Sequence, residues 1–256
     1  MAPAIIAVVA GLNMDLIFTV NRMLNVGESI DAPSLFVHPG GKGANIAIAT
    51  SRGCRPKPIP KEREEESGVA SIDFSGGNNI QVFMNGAVGD DGARARASAL
   101  FSLRLIAYQG INMNWKPRDP GSVDCLAAGS TPELVIAHLG IQQEKIFRVL
   151  ETARGDGVDT LLSPSPPEPL ISNMYAHLTH LILNQTETAM LSDRCVEELN
   201  TVAAWGNAAQ YFIHRGVENV VITLGDRGAF YATHRGQTGL VDAEKGVNVV
   251  DVTGAG

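Results

Sequence analysis

Cysteine is scarce in this chain. Three occur in 256 residues, Cys54, Cys125 and Cys195, odd in number and far apart. That pattern offers neither a disulfide framework nor a metal-binding spacing, and it fits a reducing, intracellular setting, cytoplasmic or nuclear. Long apolar runs are lacking too. The longest, Ala4 to Ala10, falls well short of the roughly 20 residues that a membrane span requires. The N-terminus has neither the basic flank nor the small-residue cleavage site of a secretory signal. Basic residues are outnumbered, which leaves a net charge of -7 and a pI of about 5.4. That deficit argues against nucleic acid and anionic membranes as partners.

What is present suffices for one large globular unit, residues 1–256, 45% hydrophobic. Ile5–Val9 is predicted as a buried strand, Leu35–Val37 as a second apolar segment, and Ile46–Ala49 as part of a helix entered through glycines. Further strands are expected at Val82–Met84, Leu161–Leu162, Leu181–Leu183, Val220–Leu224, Ala229–Ala232 and Val247–Val250. Helices are expected at Ala93–Leu105, Glu144–Ala153 and through most of Val196–His214. Residues 52–81 mix proline, alternating charge and glycine without an apolar period, and read as a flexible insertion loop. Trp115–Ser130 shows little pattern. Short apolar strands alternating with helices imply an α/β layered fold with a mainly parallel sheet. Ligands of such sheets sit beyond the carboxyl ends of strands. Distinctive polar residues recur at those ends: Asn13 and Asp15, Asn184, Gly225 and Gly228, and Gly254.

Five segments carry chemistry. Asn13 and Asp15 together suit vicinal hydroxyls, the amide donating and accepting and the carboxylate accepting only; a turn is the structural alternative. Gly40-Gly41-Lys42-Gly43-Ala44-Asn45 brings main chain close to a ligand and adds two polar side chains. It is neither a P-loop nor a dinucleotide fingerprint, since G-x-G-x-x-G fails at Ile46. Asn184-Gln185-Thr186-Glu187 suits a phosphate oxygen at Asn184 and magnesium-bound water at Glu187, with a helix cap as the alternative. Thr223-Leu224-Gly225-Asp226-Arg227-Gly228 is a surface over which a nucleotide fits, or a hairpin turn. The final Asp251-Val252-Thr253-Gly254-Ala255-Gly256 allows close approach to a phosphate. His177 and His180 have no evident third ligand for zinc, and the other histidines look incidental.

Taken in order, these segments, with Val88-Gly89-Asp90-Asp91, resemble the ribokinase branch of the PfkB family of carbohydrate kinases. The lysine within the double-glycine motif is more like ribokinases than fructokinases or adenosine kinases, and the insertion is similar to one in fungal ribokinases. The resemblance implies a ribokinase-like fold with a small β lid, and transfer of a phosphoryl group from ATP to the 5-hydroxyl of D-ribose or a similar small sugar. It implies sugar binding by Asn13, Met14, Asp15, Gly41, Lys42, Gly43 and Asn45. ATP binding falls to Asn184, Thr223, Gly225, Asp226 and Gly228, with Glu187 near Mg2+ and Asp251 and Thr253 matching part of a K+ site. Gly254, Ala255 and Gly256 would form an anion hole for the migrating phosphoryl group. Lid strands are expected around residues 16–38, and homodimerisation through the lid follows from the same likeness.

The chain departs from that pattern in three places. The aspartate expected as general base directly after Gly256 is absent from the 256 residues, which makes a C-terminally truncated, weak or inactive enzyme the expectation. Asn112–Gly140 is shorter than in the family, so lid strands are expected to be partly missing around 112–130, and a main-sheet strand with them. Gly140 falls where a sugar-binding glutamate belongs, and Ser163-Pro164-Ser165-Pro166 replaces a usual asparagine before prolines. The competing readings are a non-catalytic sugar- or nucleotide-binding relic and a mis-spliced fragment.

Overall fold

The computed structural model describes residues 4–23, 25–53, 80–88, 104–109, 115–119 and 121–246. Two sheets are present among them. The large one is built from β1 (Ala4–Val9), β4 (Ile80–Val88), β5 (Arg104–Gln109), β6 (Leu134–His138), β7 (Asp159–Ser163), β8 (His180–Asn184), β9 (Asn219–Thr223), β10 (Ala229–Thr233) and β11 (Thr238–Val241). Across the sheet the order is β11-β10-β9-β8-β7-β6-β1-β4-β5. Every pairing from β5 to β9 is parallel, and only β10 and β11 run antiparallel. The small sheet is an antiparallel pair, β2 (Asn13–Thr19) with β3 (Ser34–Gly40).

β1 lies inside the sheet, and its residues Ala7, Val8 and Val9 are fully buried. A strand covered on both faces reads as a continuous apolar run, which is what the sequence shows here. Side chains alternate between faces. Ala7 and Val9 join one core, Val8 and Ala10 the other. The first core holds α2 (Gln143–Gly155) through Ile146, Val149, Leu150 and Ala153, and α4 (Val202–Ile213) through Trp205, Ala208, Ala209 and Phe212. The second core is closed by α1 (Lys42–Gly53), whose Ala47 packs on Val82, Met84 and Ile136. Truncating the fully buried Phe212 to alanine costs roughly 3–5 kcal/mol by lost transfer energy and cavity formation.

Several expectations change. Residues 54–79 of the expected insertion lie outside the described residues; Arg52 and Gly53 end α1, and Ile80 and Gln81 begin β4. Most of the expected 93–105 helix also lies outside them, but Arg104 and Leu105 belong to β5, whose parallel pairing with β4 overrides the helical pattern. The sheet strand expected to be missing from Asn112–Gly140 is present as β6, between β1 and β7. Trp115, Val123 and Leu126 are buried in the main core, the last two on a short 3-10 helix, Val123–Ala127. The buried Asn85 amide donates to the Leu126 carbonyl at 2.9 Å and ties that turn to β4.

Val196–His214 is not one helix. A 3-10 turn, Val196–Glu198, is separated from α4 by Leu199–Thr201. The Leu199 carbonyl accepts from Gln185 Nε2 at 2.7 Å and from Trp205 Nε1 at 2.8 Å, so the break is held by side chains on both sides. Thr201 then caps α4 by accepting from Ala204 N. The expected strand Val247–Val250 lies outside the described residues. No helix among the described residues is long and apolar enough to cross a membrane.

Candidate active site

The carboxyl ends of four neighbouring parallel strands meet in one place. His138 ends β6, Ser163 ends β7, Asn184 ends β8 and Thr223 ends β9. His138 stands opposite Ser163 in the register, and Asn184 opposite Thr223. All four line a cavity of about 500 Å³, together with Asn13 and Asp15 at the root of β2, Gly41, Lys42 and Asn45 at the start of α1, and Glu187. Residues separated by most of the chain thus share one cleft beyond the carboxyl ends of the strands, where an open α/β fold binds ligands.

The glycines of the double-glycine motif serve this geometry by what they leave out. A Cβ on Gly40 would lie 2.0 Å from Asp15 Oδ2, and one on Gly41 would lie 2.9 Å from Asn13 N. Gly41 also has φ +89, a left-handed conformation in which other residues are strained. The two glycines let β3 turn into α1 while leaving room for the polar side chains of β2. Gly43 differs. Its missing Cβ would fall 2.5 Å from both Ala10 Cβ and Gly11 O, so this glycine seats α1 against the end of β1. It does not line the cavity. Met14 pairs with Pro39 in the hairpin.

Asn184 and Glu187 form a reciprocal capping box on α3 (Gln185–Leu191). Glu187 N donates to Asn184 Oδ1 at 2.8 Å, and Asn184 N donates to Glu187 Oε2 at 3.0 Å. Glu187 is buried, and both residues line the cavity. The cap and the cavity wall are therefore the same two residues, and the cap holds the carboxylate at the helix N-terminus.

Gly225, Asp226 and Gly228 lie elsewhere. They belong to a 3-10 turn, Gly225–Arg227, and its cap, which carry β9 into β10, and none lines the cavity. Gly228 has φ +89, and a Cβ there would sit 1.9 Å from Val241 O, so packing against the end of β11 requires glycine. Gly225 and Asp226 are exposed. The neighbouring Arg227 donates to Gln185 Oε1 at 2.8 Å and lies 5.2 Å from the Trp205 ring centroid. Asp251, Thr253, Gly254, Ala255 and Gly256 lie outside the described residues.

Sequence reasoning missed His138 as a candidate and treated Ser163 and Ser165 only as departures from a pattern. The Lys42 ammonium donates to Ser165 Oγ, and both residues line the cavity. His138 is buried; burial, with the positive charge of Lys42 nearby, pushes its imidazole down to about 4. Its Nδ1 accepts from Gly140 N at 3.1 Å. The available signal was position: His138 is the first polar residue after the apolar run Leu134–Ala137.

The hairpin rises beside this cavity. Asn13, Asp15 and Ile17 share one face, and Ile17 stands opposite Phe36. Leu16, Phe18, Leu35 and Val37 form the other face and are 60%, 57%, 51% and 40% exposed. In the connecting loop, Arg22 Nη1 donates to Glu28 Oε2 at 2.7 Å, and this hydrogen bond holds the Glu28 carboxyl down to about 2.

The architecture is that of an α/β kinase with a strand-built lid. The profile of the pfkB family carbohydrate kinases matches residues 102–256, more than half of the chain, and the chain belongs to that family. It is 28% identical to a deoxyribokinase of Salmonella typhi over 257 residues, 98% of this chain and 81% of the relative. It is 29% identical to a ribokinase of Staphylococcus aureus strain COL over 98% of this chain and 82% of that one. Among solved structures, the Arabidopsis thaliana ribokinase complexed with ribose and ATP superposes with a TM-score of 0.74 at 19% identity, covering 100% of this chain and 82% of that one. The fold is thus ribokinase-like, and the two-stranded sheet is its lid.

Proposed function

We propose that this sugar kinase acts on a pentose, D-ribose or its 2-deoxy analogue, with MgATP as phosphoryl donor. The observation that carries this reading is the single cavity that joins Asn13, Asp15, Lys42 and Asn45 to Asn184, Glu187 and Thr223. The first group offers an amide, a carboxylate and an ammonium to a polyhydroxylated ligand. The second sits at a helix N-terminus and adjacent strand ends, where triphosphate oxygens bind.

In the reaction the sugar 5-hydroxyl oxygen attacks the γ-phosphorus and gives up its proton to water, the bond from that phosphorus to the β,γ-bridging oxygen breaks, and ADP leaves. Positioning and charge neutralisation do most of the catalytic work in such transfers. Asp15 and Lys42 orient the sugar, and Asn184 and Thr223 hold the nucleotide. Gly225, Asp226 and Gly228 are proposed as the ledge beneath the rest of the nucleotide. The anion hole is assigned to Gly254, Ala255 and Gly256, and a partial K+ site to Asp251 and Thr253.

Among the described residues no group of three or more His, Cys, Asp or Glu could hold a metal. Mg2+ fits these residues as an ion carried mainly by substrate phosphates and waters, with Glu187 ordering one water. Bound there, it neutralises charge on the phosphates. The outward lid face of Leu16, Phe18, Leu35 and Val37 suits pairing with a second copy, while Ile17 and Phe36 exclude water over the sugar.

A coupled assay of ADP release with ribose, Mg2+ and K+ tests the reading. Pentose-dependent release that disappears in Lys42→Ala is expected; release independent of any sugar overturns it.

A further inference from the structure

We propose that His138 is a further sugar-binding residue, its Nε2–H donating a hydrogen bond to an oxygen of the bound pentose. The proposal rests on the kinase reading of the cavity and assigns a further contact within it.

The tautomer follows from the fold. Nδ1 accepts the Gly140 amide proton, so the neutral ring carries its hydrogen on Nε2. The ring is held neutral by burial and by Lys42. Among the described residues Nε2 is a buried side-chain nitrogen without a hydrogen-bond partner, and the residue lines the cavity. A buried donor left unpaired is unfavourable, and a ligand acceptor that pairs it binds more tightly.

Position selects the sugar over the nucleotide as the source of that acceptor. β6 is hydrogen-bonded to β1, whose exit carries Asn13 and Asp15, whereas β7 separates it from β8 and Asn184. His138 also feels the charge of Lys42 directly. The backbone after it is crowded: a Cβ on Gly140 would lie 3.0 Å from Gly11 N, so a side chain there would have to push the end of β1 aside. A neutral N–H donor at this place suits a hydroxyl or ring oxygen. A ring hydrogen-bonded at only one nitrogen also fits a trapped water, and the test separates the two.

The experiment is calorimetric titration of the full chain with D-ribose, and separately with a non-hydrolysable ATP analogue and Mg2+, for wild type, His138→Leu and His138→Gln. Ribose affinity is expected to fall about tenfold or more in His138→Leu, to recover in part in His138→Gln, which restores an N–H donor, and nucleotide affinity is expected to stay unchanged. Equal ribose affinity in wild type and His138→Leu overturns the proposal. If the wild type binds nucleotide but no pentose, the sugar reading itself has failed. Should His138→Leu not melt cooperatively, nitrogen-15 spectra of the wild-type imidazole decide: the Nε2–H signal moves with ribose and not with nucleotide alone, and no movement with ribose overturns the assignment.

Discussion

Lys42, the first residue of α1, donates from its ammonium to the hydroxyl of Ser165, 123 positions further along the chain. The contact pins the helix that carries the glycine motif to the segment leaving β7. It also holds a positive charge in the wall of the cavity. Removing that charge is expected to cost far more than removing its anchor. Lys42→Ala is predicted to weaken ribose binding by about tenfold or more, since hydrogen bonds from charged groups contribute roughly 1.5–3 kcal/mol, whereas Ser165→Ala costs a few-fold through looser positioning. Calorimetric titration of both variants checks the order; a larger loss in Ser165→Ala would contradict it.

The observed cap and the proposed nucleotide contact of Asn184 are separable by substitution. Asn184→Ala removes the capping oxygen of α3 and is expected to lower stability by about 1 kcal/mol, visible as a drop of a few degrees in Tm. Asn184→Ser keeps a good cap and should restore the melt. Neither variant should regain full thermal protection by MgATP, because the serine hydroxyl falls short of the phosphate. Full protection in the serine variant would confine Asn184 to capping.

The lid carries apolar residues on both faces, and the proposed function gives each face its own task. Phe18→Asp with Leu35→Asp, on the outward face, is expected to convert a dimer to a monomer in sedimentation velocity while leaving sugar affinity within a few-fold. Phe36→Ala, on the face shared with Asp15, is expected to weaken sugar binding and leave the oligomeric state unchanged. A wild type that is monomeric at micromolar concentrations would remove the dimer from this scheme.

Acid should destabilise the protein through His138. Its folded value lies near 4, against 6.5 when exposed. Between those values the unfolded chain binds a proton that the folded chain does not, so stability is fully present above about pH 6.5 and is lost as pH falls toward 4. The window corresponds to about 3 kcal/mol. Chemical denaturation at a series of pH values should show this slope in the wild type and a flatter one in His138→Gln. Parallel slopes would mean that the imidazole already charges in the fold.

Much of this was legible in the sequence because local rules decided it. β1 reads as an apolar run because it is buried on both faces, and Asn184-x-x-Glu187 reads as a cap because the spacing alone sets the reciprocal bonds. β5 and β11 were not legible. Arg104–Gln109 is a strand through pairing with β4, and Thr238–Val241 through pairing with β10; neither has a strong pattern of its own. Gly43 and Gly228 read as ligand contacts in the sequence, and the fold adds a packing reason for each, because another segment presses within 2.5 Å of its missing Cβ. Such packing reasons depend on distant chain and leave no local mark. His138 was overlooked for the complementary reason: a lone histidine after an apolar strand acquires meaning only once the strand order sets it beside β1.

The central claim is that tips of separate strands hold a pentose next to a nucleotide in one cleft. Titration of D-ribose into the protein saturated with a non-hydrolysable ATP analogue and Mg2+ tests it most directly. The account predicts saturable binding of one ribose per chain, lost in Lys42→Ala with the nucleotide still bound. Absence of pentose binding at any nucleotide occupancy, or ribose that competes with the nucleotide instead of binding beside it, would contradict it.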